Sequence, residues 1–151
     1  MEARRNGMKS AFALLVGAVY VTFAALEMIQ AIAPQLPLDE RLMVPGDLMG
    51  GFVLAVTGAV FLYGFGEMRG GVERGAAYLY VGIMLGLVFS GVYLLILGTG
   101  ALDAVVTGRI GNWTPAEGMR PALYLGPLPL AGFLAWREIF DLGRVRWGGG
   151  R

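Results

Sequence analysis

A carboxylate and an amide stand inside the first long apolar stretch of the sequence. Glu27 and Gln30 lie three residues apart in the run Phe23–Ile32, so in a helix they share one face. A carboxylate in an apolar helix is costly and usually functional, because it can hold a cation or a proton. The structural alternative is that Glu27 is protonated, or reaches Arg41 or Arg109, and only fixes helix packing. Both interpretations stay open at this point.

The residue types missing from the sequence exclude several kinds of chemistry. The 151 residues include neither cysteine nor histidine. Thiol redox cycles, Fe–S clusters, the usual zinc sites and haem held by His or Cys therefore lose their ligands. A hydroxyl nucleophile would also lack its usual imidazole base. We predict no catalytic residue, no metal site and no cofactor, and we expect that the protein is not an enzyme.

The composition is typical of an integral membrane protein. Hydrophobic residues make up 56% of the chain and charged residues 15%, and the mean hydropathy is +0.64. A net charge of +1 without a Lys/Arg block argues against a nucleic-acid partner and leaves the lipid bilayer as the surroundings. We expect a single membrane domain over residues 1–151. Its four apolar segments predict an all-α bundle of four transmembrane helices, at about residues 10–33, 48–66, 76–98 and 121–141.

The basic residues predict the orientation of these helices. Residues 1–9, 67–75 and 137–151 together hold nine of the twelve Lys and Arg residues. The positive-inside rule therefore places both termini in the cytoplasm of a multi-pass protein in the cell membrane. The connection 99–120 then faces outward. Apolar residues recur there at spacings of three and four, which predicts a short interfacial helix over about residues 101–110.

Counting residues from the outer membrane boundary brings further polar groups to the depth of Glu27. Tyr93 of the third segment and Pro127 of the fourth fall near this level, about 9 Å below the boundary. Pro127 and Pro129 remove two backbone N–H groups, which predicts free carbonyl groups near residues 121–125. The candidate site for an ion, a proton or another ligand therefore consists of Glu27, Gln30, Tyr93 and Pro127.

Glycines recur at positions where helices can approach each other closely. Membrane helices associate through small residues, since no hydrophobic effect drives them together within lipid. One interpretation is packing inside the bundle, and the other is a face for a partner subunit or a second copy of the chain. The residues concerned are Gly50, Gly51, Gly58, Gly82 and Gly86.

The second and third segments resemble a known family. Residues 47–58 read DLMGGFVLAVTG and residues 75–85 read GAAYLYVGIML. An acidic residue before a Gly-Gly helix, followed by an Ala-led helix, is similar to the DoxX/DoxD-type four-span membrane proteins. That family often carries a lysine where this chain has Glu27 or Met28. The resemblance implies a membrane subunit of a larger assembly, in some members one linked to quinones and sulfur oxidation, and it assigns no site residue to this chain.

Three functions are compatible with these features. The first is a non-catalytic subunit of a larger membrane complex, with other membrane subunits or a second copy as partners. The second is a small homo-oligomeric transporter or channel that uses Glu27. The third is a quinone-linked subunit, for which Tyr20, Tyr93, Tyr124 and Trp136 would supply aromatic walls and hydroxyl donors.

Overall fold

The computed structural model describes residues 2–34, 44–71 and 74–136, and the regular structure of these residues is entirely helical. Three long helices are followed by two short ones. The first three are long and apolar enough to cross a membrane, α1 from Asn6 onward. An all-α membrane fold is therefore what the described residues form. The helices are α1 (Glu2–Ile32), α2 (Leu48–Arg69), α3 (Gly75–Val106), α4 (Pro121–Tyr124) and α5 (Pro127–Ala135), with 3-10 turns at Ile110–Asn112 and Pro115–Gly118.

The fourth apolar segment is split into α4 and α5, where the sequence predicted one helix from 121 to 141. Pro127 is the first residue of α5, a position where the missing N–H costs no helical hydrogen bond. The carbonyl groups predicted to be free are partly paired, since Pro121 O accepts from Leu125 N at 2.9 Å and Leu123 O from Gly126 N at 3.1 Å. The end predicted at 141 lies outside the described residues.

The third helix is longer than predicted, because the segment expected to form an interfacial helix continues it. No proline interrupts residues 99–106, and the helix runs unbroken to Val106. It ends where Gly108 adopts a φ of 69°, which glycine enters without steric cost. The Arg109 N–H then donates to Ala104 O at 2.9 Å and closes the helix end. Only the 3-10 turn at Ile110–Asn112 separates this end from Trp113.

The helices pack through glycines and a line of buried aromatic and aliphatic residues. The ring of Phe61 on α2 packs against the ring of Tyr20 of α1. The Phe61 ring also lies against Gly82 of α3. All five glycines singled out in the sequence face another helix of this chain, so their contacts are internal. A Cβ added at these positions would lie within 3.1 Å of Glu27 (at Gly50), Met28 (at Gly51), Val21 (at Gly58), Phe61 (at Gly82) and Pro129 (at Gly86).

A buried lysine, Lys9, lies near the N-terminal end of α1. The ammonium group of Lys9 donates to the Tyr80 hydroxyl at 2.8 Å and lies 5.4 Å from the centre of the same ring. A buried charge needs such partners, because it has lost its hydration. Lys9 and Glu27 thus place buried charges of opposite sign toward the two ends of one helix.

Candidate functional site

Glu27 is enclosed where the last turns of α1 meet the beginning of α2. Its exposed fraction is only 2%, and Gln30 on the next turn is also buried. Glycine makes this closeness possible, because a Cβ at Gly46 would lie 2.8 Å from the backbone of Ala31. Among the described residues, Glu27 Oε2 and Gln30 Oε1 have no hydrogen-bond partner. Two acceptor atoms therefore stand buried and unpaired on one face of α1.

Asp47 joins a helix cap to an ion pair. Its side chain caps α2, with Oδ1 accepting from the Met49 N–H at 2.9 Å. Its other oxygen, Oδ2, lies 3.6 Å from Nη1 of Arg120, and both side chains are about one-third exposed. The cap was foreseeable from the sequence, whereas the pairing with Arg120 was not. Asp47 is thereby held with one oxygen toward the helix and one toward the connection that precedes α4.

Gly50 lies between the two carboxylates. A Cβ at this residue would lie 2.7 Å from Glu27 Oε2 and 3.3 Å from Asp47 Oδ2. The oxygens of both acidic side chains therefore converge on the space that a side chain at residue 50 would fill. Glycine at residue 50 avoids a collision with both carboxylates.

A cavity of about 490 Å³ opens beside Asp47. We call it the loop pocket, because α3 forms one wall and the connection between α3 and α4 the other. It combines an ion pair with two aromatic side chains, a mixture suited to a small charged solute. Its lining residues are Asp47, Tyr93, Ile96, Leu97, Gly100, Trp113, Gly118 and Arg120.

Electrostatic interactions connect the loop pocket to the carboxylate below it. Tyr93 interacts with Asp47, Glu27 and Arg120, and Glu27 interacts with Asp47 and Arg120. We call these four residues, Glu27, Asp47, Tyr93 and Arg120, the polar cluster. With both carboxylates ionised, the cluster carries two negative charges and one positive charge. In that state its net charge is −1, and three of its residues, Asp47, Tyr93 and Arg120, line the loop pocket.

The predicted site residues are brought together only in part. Glu27 and Tyr93 belong to the polar cluster, and Gln30 lies buried one turn beyond Glu27. Pro127 is exposed at the beginning of α5 and is not among the residues that line the pocket. Tyr124 of α4, three residues earlier, is the group of the fourth segment that interacts with Glu27.

The arginine that interacts with Glu27 is Arg120, whereas the two candidates from the sequence were Arg41 and Arg109. Arg41 lies outside the described residues. Arg120 supplies the positive charge and lines the pocket together with Asp47, whereas Arg109 closes the end of α3. Arg120 precedes a proline-led helix, and that position alone carries no signal for an ion pair with a residue 73 positions earlier in the chain.

The donor set of the cluster consists of oxygen atoms. In the described part of the chain, no group of three or more His, Cys, Asp or Glu residues is placed to hold a metal ion. Carboxylate, amide and phenol oxygens are hard donors, which suit alkali or ammonium cations better than soft metals.

Comparison with protein-family models shows what the chain is similar to. A family model described as the MJ0565 integral membrane domain matches residues 3–138 of the chain. No curated protein and no solved structure gives a significant match. The matched region contains α2 to α5, all of α1 except Glu2, and the whole polar cluster. The description agrees with the membrane character predicted from composition, whereas the predicted resemblance to DoxX/DoxD-type proteins is not shown.

Proposed function

We propose, since the chain belongs to the MJ0565 integral membrane domain family, that this multi-pass membrane protein is a small transporter or channel for a charged solute. The loop pocket is its binding site. One observation carries the proposal: Glu27 is buried and its Oε2 unpaired among the described residues, directly beside the charged wall of that pocket. An intramembrane carboxylate without a structural partner is costly to retain unless it serves a ligand.

A line of unpaired polar atoms continues from the polar cluster into the helix bundle. Gln30, Glu27 and Tyr20 each carry a buried oxygen without a hydrogen-bond partner among the described residues. They span ten residues of α1, or about 15 Å along the helix. A single binding site does not require unpaired polar atoms over this length of helix. Their extent supports a path along which the solute moves away from the pocket.

The distribution of basic residues supports an outward-facing pocket. The ends of the chain and the connection 67–75 hold most of the Lys and Arg residues, which favours a cytoplasmic position for them. Four spans, with the split fourth segment completing the crossing, would then place the loop pocket on the outer surface. Solute would enter there and meet Asp47 and Arg120 before Glu27.

Filling the loop pocket should abolish solute binding. Gly100 lines the pocket, and a Cβ there meets only Trp113 Nε1 at an ordinary 3.7 Å, so Gly100→Phe is compatible with folding. We expect it to weaken binding at least about tenfold, because the ring occupies the space of the ligand. Thermal-shift assays with a panel of small cations and anions, followed by flux in proteoliposomes, measure the effect.

The matched control is Gly98→Phe, two residues away on α3. Its Cβ meets nothing within 4 Å and points away from the pocket lining. We expect this variant to bind like the wild type. Equal loss in both variants, or a wild-type protein that neither binds nor transports any solute of the panel, would contradict the proposed function.

A second candidate function is that of a non-catalytic subunit in a larger membrane complex. It is favoured by the exposure of α3, since only 17% of its most apolar part is buried inside the chain, against 33% for α1 and 39% for α2. Lipid or a neighbouring helix would cover the rest.

The mass of the particle extracted in mild detergent tests this second candidate. For a subunit, we expect other membrane proteins to co-purify in a fixed ratio and the mass to exceed that of a homo-oligomer. The measurement is native mass spectrometry of the extracted particle. A homogeneous monomer or homodimer from the native membrane would argue against the subunit function and leave the transporter proposal in place.

A further inference from the structure

We infer that the solute is a monovalent cation, and that it binds at Glu27 and Asp47 in exchange for a proton on Glu27. This inference rests on the proposed function of the loop pocket and names the class of its ligand. It follows from the charges of the polar cluster and from the geometry around Gly50.

The charge balance of the polar cluster selects the ligand. Asp47 is paired with Arg120 at 3.6 Å, whereas Glu27 has no basic partner of its own among the described residues. Burying an unpaired charge is strongly unfavourable, so the cluster is favourable when one further positive charge is present. A proton on Glu27 or one bound monovalent cation meets this condition. An anion would add to the negative charge, and a divalent cation would leave an excess positive charge.

Within the described residues, the groups that interact electrostatically with Glu27 contain a single positive charge. They are Asp47 before α2, Tyr93 on α3, Arg120 in the connection before α4, and Tyr124 on α4. Arg120 is the only cation in this group, and Asp47 already holds it. Gln30 and Tyr20 on α1 contribute neutral oxygens. Since the described part of the chain supplies no second positive charge here, we expect a cation from outside the cluster to replace a proton that leaves Glu27.

The positions of two carboxylate oxygens beside Gly50 indicate where the cation binds. Glu27 Oε2 and Asp47 Oδ2 both lie within 3.3 Å of the position that a Cβ at Gly50 would occupy. A cation held beside Gly50 can contact both carboxylates, and Gln30 supplies a neutral oxygen one turn away. In the exchange, the O–H bond of Glu27 breaks, the proton leaves to water in the loop pocket, and the cation forms an ionic contact with the carboxylate. No electron is transferred.

Calorimetric titration of the full chain in detergent tests the exchange. The probes are NaCl and KCl at constant ionic strength, set with choline chloride, in buffers with different ionisation enthalpies that report the protons released. We expect one cation per chain and release of up to one proton. We also expect the Kd for the cation to fall about tenfold for each unit by which the pH rises, over the range in which Glu27 is protonated in the free protein.

Two variants test the geometry of the site. Gly50→Ala places a methyl group between the carboxylates, and Asp47→Asn keeps a capping side chain but frees Arg120 to neutralise Glu27. Both should weaken cation binding at least tenfold. Gly66→Ala on the same helix is the control, because its Cβ meets nothing within 4 Å, and it should bind like the wild type.

The outcomes separate the inference from the proposed function. Cation binding without proton release, unchanged binding in both Gly50→Ala and Asp47→Asn, or tighter binding of CaCl₂ than of NaCl would overturn the inference. If the wild type instead binds an anionic or neutral solute that Gly100→Phe excludes, the inference fails while the proposed function stands. If neither cations nor any other solute binds, both fail.

Discussion

Glu27→Gln should abolish cation binding and yet leave the protein at least as stable as the wild type at high pH and low salt. Glutamine has nearly the same shape but no charge, so the cluster loses the group that the cation neutralises. Removing one partner of a buried charge pair typically costs about 2 to 5 kcal/mol, which corresponds to a loss of affinity of about 30-fold or more. The measurements are cation titration and thermal unfolding of the same preparations.

The thermal-unfolding measurement distinguishes a Glu27 that binds a ligand from a Glu27 that only fixes helix packing. Glu27 is 2% exposed, and without a cation its ionised form lies beside Asp47 without a partner for Oε2 among the described residues. A neutral amide removes that cost. If Glu27 only fixed helix packing, Glu27→Gln would lower the unfolding temperature and leave binding unchanged. Glu67→Gln, an acidic position near the far end of α2, is the matched control and should change neither.

Gly58→Val should prevent stable packing of α1 against α2. A Cβ at residue 58 would lie 2.8 Å from Val21 Cγ2 and 3.0 Å from both Val21 N and Gly17 O. Two of these are backbone atoms of α1, which cannot move without displacing the helix. We expect a loss of about 2 to 3 kcal/mol in the free energy of unfolding, measured by thermal unfolding in detergent and by yield from the membrane.

Gly66→Val is the control for this substitution. It introduces the same side chain on the same helix, and a Cβ there meets nothing within 4 Å. Its yield and unfolding temperature should match those of the wild type. Equal destabilisation by both variants would mean that valine at a helical glycine, and not the contact with α1, is responsible. An unchanged Gly58→Val protein would show that α1 and α2 do not pack as closely as described.

Much of the fold could be predicted because the membrane imposes simple rules. A minimum length of apolar helix and a preference for glycine at contacts locate α2 and the beginning of α3 within three residues, whereas α1 begins eight residues before the predicted start at residue 10. The depth of Tyr93 in the membrane relative to Glu27, obtained by counting along antiparallel helices, stays a prediction. These inferences depend on local composition and helix geometry, which a single sequence contains.

The remainder depends on contacts between distant parts of the chain. The path of residues 107–120 brings Arg120 to Asp47 and Trp113 to Gly100, and neither contact has a local sequence signal. Pro127 was expected inside a continuous helix, where it would free carbonyl groups. It is the first residue of a new helix instead, after a turn at Leu125 and Gly126 whose N–H groups pair with two of those carbonyl groups.

The most direct test of a cation at Glu27 and Asp47 is to locate one. Thallium(I) resembles potassium in size and scatters X-rays anomalously, so crystals of the full chain grown in a thallium salt near pH 8 would reveal its position. We predict one strong anomalous peak beside Gly50, in contact with Glu27 Oε2 and Asp47 Oδ2, which disappears in Glu27→Gln. Well-diffracting crystals without a peak at that position, or with a peak that persists in Glu27→Gln, would contradict the account.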